Sequence, residues 1–282
     1  MVVENKTFDE ERALYGSSGL TVRNCRFDGP QDGESALKES KEITVENSFF
    51  NLRYPFWHDD YLSIKNCELT ELCRAALWYT GHAEISSSKL HGIKALRECH
   101  DINISGCSIK SPEFGWSVNN ASFVNSSAES EYFMMRSSNL FFKDFTLNGK
   151  YSFQYVTNMD MENCNLNTKD AFWHTKNVTV RDSVINGEYL AWYSDHLTLI
   201  NCTITGTQPF CYCTNLTLIN CKMINTDLAF EKSEVQAEIT TLVDSIKNPH
   251  RGKITLPHAG ELIITEDCSK CEIIQTDKRE CE

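Results

Sequence analysis

The sequence predicts an all-β fold in which the chain winds into a coil of stacked parallel strands, a β-solenoid of eleven or twelve rungs. Three observations predict it. One position reads Gly106, Asn125, Asp144, Asn163, Asp182, Asn201 and Asn220, each 19 residues after the last. Two and four residues before it stand apolar side chains, as in Val178 and Val180, Leu197 and Leu199, Leu216 and Leu218, and a period of two is that of a strand. After it come a residue that is usually small (Cys107, Ser126, Cys164, Ser183, Cys202, Cys221) and then another apolar one, so strand, polar turn and strand repeat without a helix. A single rung cannot bury its own apolar face, whereas stacked rungs share a core.

Register then becomes geometry. Residues 19 apart should lie above one another at a strand spacing of about 4.8 Å. The Asn/Asp position suits a tight bend, because these side chains tolerate left-handed backbone and bond to neighbouring turns. A second column of this kind, Asp101, Asn120, Asn139, Asn158, Asn177, His196 and Asn215, marks another corner just before the first strand.

Taken in order, residues 1–10 read as an N-terminal cap and 11–232 as regular rungs. Leu20 to Cys25, Ile43 to Ser48, Leu62 to Cys67 and Ala83 to Ser88 repeat the pattern at spacings of 23, 19 and 21, with Gly29 to Gly33 as a lengthened loop. Residues 233–282 hold short apolar runs broken by Pro249, Gly252, Pro257 and Gly260, which suits the last rungs and a C-terminal cap. The whole of 1–282 is expected to form one domain. Cys268 and Cys271 make a lone CxxC pair, a weak zinc signal without a second pair, so no metal or cofactor is predicted.

Composition narrows the function. A net charge of -12 without a Lys/Arg run argues against nucleic acid as a partner. No apolar segment approaches the length of a membrane helix, and the first twenty residues, with Glu4, Asp9, Glu10 and Glu11, do not read as a signal peptide; a cytoplasmic location is expected. Of the thirteen cysteines, Cys25, Cys67, Cys107, Cys164, Cys202 and Cys221 share one inward position with Ser, which predicts free buried thiols in a reducing compartment.

The third strand of each rung carries the candidate chemistry. Five residues before the first strand the column reads Tyr15, Lys38, Trp57, Trp78, Arg97, Trp116, Met135, Gln154, Trp173, Trp192, Cys211 and Phe230, and the position before it is wholly non-polar. By alternation the Trp column points outward. The next position is polar or aromatic (Glu39, His58, Tyr79, Glu98, Ser117, Arg136, Tyr155, His174, Tyr193, Tyr212), and either faces in or begins the turn. Upstream stand Tyr54, Lys94, Glu113, Tyr132, Tyr151, Asp170 and Tyr189. Aromatic platforms beside cations and carboxylates suit stacking on sugar rings and holding hydroxyl or acid groups. The same residues can equally form a packed ladder in which Arg97 sits between Trp78 and Trp116 and Lys94 pairs with Glu113.

Geometry removes some pairings. His58 and His174 lie about six rungs, or ~29 Å, apart and cannot share a metal. Asp59 and Asp60 are neighbours in one strand and face opposite ways, unlike the paired carboxylates of a hydrolase. The compact group is His58, Tyr79, Lys94, Arg97, Glu98 and Glu113 with Trp57, Trp78 and Trp116, which could supply a base and a cation for proton abstraction beside a uronate carboxyl.

The 19-residue coil resembles the right-handed parallel β-helix of the pectate-lyase-like superfamily. Phrases such as Thr168-Lys-Asp-Ala-Phe-Trp-His174, Gly187-Glu-Tyr-Leu-Ala-Trp-Tyr193 and Gly206-Thr-Gln-Pro-Phe-Cys-Tyr212 resemble an uncharacterised bacterial family of β-helical domains of unknown function. The resemblance implies a right-handed β-helix whose outer face bears any site. The lyase and polygalacturonase motifs Asn-Thr-Asp, Gly-His-Gly and Arg-Ile-Lys are absent. Three functions are therefore carried forward. The first is a saccharide-binding surface using Trp57, Trp78, Lys94, Glu113, Trp116, Arg136, Gln154, Trp173, His174, Trp192 and Tyr193. The second is a lyase or isomerase on acidic saccharide fragments, with His58, Tyr79, Arg97 and Glu98 catalytic. The third is a scaffold whose ladders only stabilise.

Overall fold

The computed structural model describes residues 1–29, 33–265 and 270–277. Cys268 and part of the loop expected between Gly29 and Gly33 therefore lie outside the described residues. The chain forms two compact units, Met1–Asn148 and Gly149–Glu282. Among the described residues there are strands and turns and no helix, and the fold is a parallel β-solenoid of about 14 turns.

That is more than the eleven or twelve rungs expected, and the added strands lie at the two ends of the chain. In the stretch expected as a cap, Val2–Glu4 and Thr7–Phe8 already pair in parallel with Ser18–Arg23 and Arg26–Phe27. Near the other end Glu234–Ile239, Arg251–Leu256 and Lys270–Gln275 continue the stacking. The periodicity is hard to read there because the spacings change.

The register is the one the columns predict. In the first unit Ile85 pairs with Ile104, Ile104 with Phe123 and Phe123 with Phe142. In the second, Val180 pairs with Leu199 and Leu199 with Leu218. Apolar columns thus become core ladders. Phe27 and Phe50 stack at 4.7 Å and 4°, and Phe123 and Phe142 at 4.7 Å and 6°. In the second unit Phe153 stacks on Phe172 at 5.2 Å. Each such ring, removed from water, stabilises by about 2–3 kcal/mol.

The Cys/Ser column is a buried hydrogen-bond row. The Cys25 amide donates to Ser48 Oγ (3.1 Å), the Ser48 amide to Cys67 Sγ (3.5 Å), the Cys67 amide to Ser88 Oγ (3.0 Å) and the Ser88 amide to Cys107 Sγ (3.4 Å). The two residue types alternate because each gives a small buried acceptor to an amide left over at the bend. The thiols are free, as expected, and burial pushes Cys67 up to about 11.

Both predicted corners are left-handed. Asn66, Asn125, Asn163, Asn201 and Asn220 have φ between 48° and 54°, and Asp101, Asn120, Asn158, Asn177 and His196 between 54° and 59°. Amides bond along the first column, Asn220 Nδ2 donating to Asn201 Oδ1 and Asn201 Nδ2 to Asp182 Oδ1, both at 2.9 Å.

The third side departs from expectation. It is a strand at Leu77–Trp78, Leu96–Arg97 and Glu113–Trp116 and within Ser127–Met135, but in most other rungs a run of turns. Around Trp173, Asp170, Phe172 and His174 all have φ of 53° to 60°. Alternate left-handed residues still leave amides pointing up and down the stack: Phe172 N–H donates to Ser152 O and His174 N–H to Trp192 O, each at 2.9 Å. Rung-to-rung bonding survives without a regular strand.

Candidate functional site

On this third side the residue before the Trp column is buried in nearly every rung, from Leu37 and Phe56 to Phe210 and Ala229. The Trp column itself is half-buried at Trp57, Trp78, Arg97, Trp116, Gln154, Trp173 and Trp192, rather than fully outward. One bond explains why. The indole N–H of Trp78 donates to Lys94 O (2.6 Å), that of Trp173 to Tyr189 O (2.7 Å) and that of Trp192 to Gln208 O (2.9 Å), and the Gln154 amide donates to Asp170 O (2.8 Å). Each side chain lies against its rung and satisfies a turn carbonyl sixteen residues on, a spacing that the sequence shows only once the rung geometry is known.

The following column settles the alternative that the sequence left open: it begins the turn and faces solvent. His58, Tyr79, Glu98, Arg136, Tyr155, His174 and Tyr193 are exposed and left-handed, with φ of 50° to 62°. The next residue turns back into the core as Ser40, Asp59, Thr80 and Cys99, and later as Thr175, Ser194 and Cys213.

In the first unit the candidate residues do come together. Trp57 and Trp78 lie 5.0 Å apart, His58 and Tyr79 4.7 Å apart, and the Arg97 guanidinium sits 5.0 Å from the Trp78 ring centre. Lys94 pairs with Glu113 at 3.7 Å and Arg97 with Glu98 at 3.6 Å. The recess among Lys94, Arg97, Glu113, Gly115 and Trp116 holds about 10 Å³, room for about one water molecule at most. A sugar ring does not fit it. Trp173, expected on the same saccharide-binding surface as Trp78 and Trp116, belongs to the second unit.

In the second unit the same two columns are ordered stacks. Trp173 and Trp192 are parallel within 3° at 5.2 Å. Outside them Tyr155, His174, Tyr193 and Tyr212 form one continuous row, with successive ring centres 4.9, 4.9 and 4.8 Å apart and planes within 9°. Although stacked, Tyr155 and Tyr193 keep 43% and 47% of their surface exposed, so ring edges and polar tips point to solvent. The nearby cations are engaged: Lys169 with Glu188 at 2.7 Å, Lys247 with Glu231 at 3.2 Å, and Lys232 over the Tyr212 ring at 5.8 Å.

Two features escaped the sequence reading. Asp59 is 1% exposed; its Oδ1 accepts the Ser40 N–H at 2.9 Å, its Oδ2 has no partner, and burial pushes the carboxyl up to about 8 against the opposing backbone bond. Asp60 faces outward, as alternation required, and belongs to a cluster with His82, His100 and Asp101 at the second corner. The corner column continues upstream of Asp101 as His82, 19 residues back, and then as Tyr61, a further 21 residues back, where the change of step hides it. No helix is long and apolar enough to cross a membrane among the described residues.

Comparisons give distant likeness. The A-module of the mannuronan C-5 epimerase AlgE4 of Azotobacter vinelandii is 9% identical over 84% of this chain and 88% of that one, with a TM-score of 0.33. The surface protein and adhesin PfbA of Streptococcus pneumoniae is 9% identical over 92% of each chain, TM-score 0.34. A tailspike protein of the E. coli bacteriophage HK620, in complex with a hexasaccharide, is 11% identical over 98% of this chain and 72% of that one, TM-score 0.30. No match was found among curated proteins. Residues 1–275 match the family described as "Protein of unknown function (DUF3737)", and the chain belongs to that family.

Proposed function

We propose that the exposed row Tyr155, His174, Tyr193 and Tyr212 is a binding surface for an extended saccharide, which lies along the stack and meets the row at its ring edges. The observation that carries this reading is the choice of residue at a strained position. A left-handed backbone costs an ordinary L-residue about 1–2 kcal/mol, and Asn or Gly is its usual occupant. Here four successive left-handed positions (φ 56° to 61°) hold large rings instead, three of them exposed and Tyr212 half-buried. Side chains in strained backbone cluster where they are used.

The row supplies what a polyhydroxyl chain needs: apolar ring edges between hydroxyl and imidazole groups, repeated at every rung. A neutral saccharide suits it better than a polyanion, since the chain carries a net charge of -12 and Lys169 and Lys247 are already paired. The test is a glycan array followed by calorimetry on the wild type and on His174→Ala. Binding to neutral glycans that falls at least tenfold in the variant supports the reading; failure of the wild type to bind any glycan overturns it.

A further inference from the structure

We propose that His82, His100 and Asp101, at the second corner of the first unit, bind one divalent transition-metal ion of the zinc type, with Asp60 orienting His82 from behind. Three consecutive rungs bring these residues together, because Gly81 pairs with Asp60 on one side and with His100 on the other. One ligand atom from each of His82, His100 and Asp101 lies within 4.8 Å of the others.

The arrangement is directional. His82 Nδ1 bonds Asp60 Oδ1 at 2.7 Å, which turns Nε2 toward Asp101 Oδ2, 3.6 Å away. His100 Nδ1 meets the same Asp101 oxygen at 2.9 Å. The other Asp101 oxygen accepts Asn120 Nδ2. Two imidazole nitrogens thus converge on one carboxylate oxygen, and the carboxylate–histidine pair behind one of them is the usual outer-shell device of a metal site. Bonds of about 2.1 Å call for ligand atoms roughly 3.4 Å apart, so a small rotation suffices. The side chains are 39% to 49% exposed.

The rings are also held in place. Tyr61 stacks on His82 at 4.5 Å and 6°, and His100 meets it edge-on at 5.2 Å. Gly81 makes room for His100: a Cβ there would lie 2.5 Å from Cε1 and 2.6 Å from Nε2 of that ring. Two imidazoles and one carboxylate on a solvent-facing corner leave at least one position open for water or a ligand oxygen, as in sites that activate water. A shallow depression of about 400 Å³ adjoins it, lined by Tyr61, Ser63, His82 and Glu84 among others.

The full-length chain titrated with Zn²⁺ alone in a calorimeter should bind one ion at this site with micromolar affinity. His82→Gln and His100→Ala should each weaken it at least tenfold, and Asp60→Asn by about tenfold, the usual effect of an outer-shell partner. Gly81→Ala removes no ligand yet should also weaken binding, because the added methyl displaces the His100 ring. Co²⁺ should give a weak visible spectrum without an intense thiolate band. No binding at 100-fold above micromolar Zn²⁺, or binding that survives both His82→Gln and His100→Ala in folded protein, overturns the proposal.

Discussion

The corner after the first strand and the corner before it on the third side are both left-handed bends, yet different residues fill them. Asn66, Asn125, Asn201 and Asn220 occupy the first at φ near 50°, and amides bond along the column, Asn66 to Asn47 and Asn220 to Asn201. His58, Tyr79, His174 and Tyr193 occupy the other at φ near 60°, and their rings stack. The first solution relieves strain with the residue types that best tolerate it. The second keeps large rings at strained positions, as the buried Phe153, Phe172 and Phe210 of the same side also do. The contrast between them separates what holds the coil together from what the coil displays.

The inner rows behind the two corners differ as well, and that difference carries the largest expected effect. Behind the Asn corner the amides of Cys25, Ser48, Cys67, Ser88 and Cys107 each find a Ser or Cys acceptor, whereas behind the aromatic corner one rung holds Asp59. A carboxyl whose folded value is raised to about 8, against about 3.9 unfolded, keeps a proton that the unfolded chain has lost. Stability is therefore undiminished below pH ~4, falls as pH rises between the two values, and is lower by roughly 4 kcal/mol at pH 7. Asp59→Asn should raise the melting temperature at pH 7.5 by roughly 5–10 °C, with the gain shrinking to nothing near pH 4. A gain independent of pH would mean that the carboxyl is not the source.

Next in size is the Asn corner itself. Asn201→Ala removes two amide bonds and places a Cβ-bearing residue without local hydrogen bonds at φ 54°, and should cost about 2 kcal/mol in chemical denaturation. Asn201→Gly should recover about half of it. Smaller still is Trp173→Phe, which leaves the Tyr189 carbonyl without its 2.7 Å indole donor and should cost about 1–1.5 kcal/mol. The smallest is Glu113→Gln: its half-buried partner Lys94 lies 3.7 Å away, and losing the pair should cost below about 1 kcal/mol and less in high salt.

Much of the coil was legible because the information is periodic. A run such as Val178, Val180, Leu197, Leu199, Leu216 and Leu218 states both the strand and its neighbour, and Trp173 and Trp192 do lie on adjacent rungs. The rung count fell short where the spacing changes, at Val2–Glu4 and beyond Phe230. The third side was misread as a strand because alternating left-handed turns also give a two-residue alternation of inside and outside. The site was legible as a list of residues but not as contacts. Nothing in the sequence says that the Trp78 and Trp173 indoles are tied to carbonyls, or that Asp60, His82, His100 and Asp101 meet, since the 21-residue step between Asp60 and Gly81 hides that column.

The most direct measurement of the difference between the corners is Tyr193→Asn, read for stability and for glycan affinity in the same preparation. Two stacking contacts worth about 0.5–1.5 kcal/mol each are lost, while the left-handed backbone at φ 61° gains the residue that suits it by about 1–2 kcal/mol. The account predicts a stability within about 1 kcal/mol of wild type together with at least a tenfold loss of saccharide binding. A clear loss of stability with binding unchanged would contradict it and make the aromatic row a structural ladder.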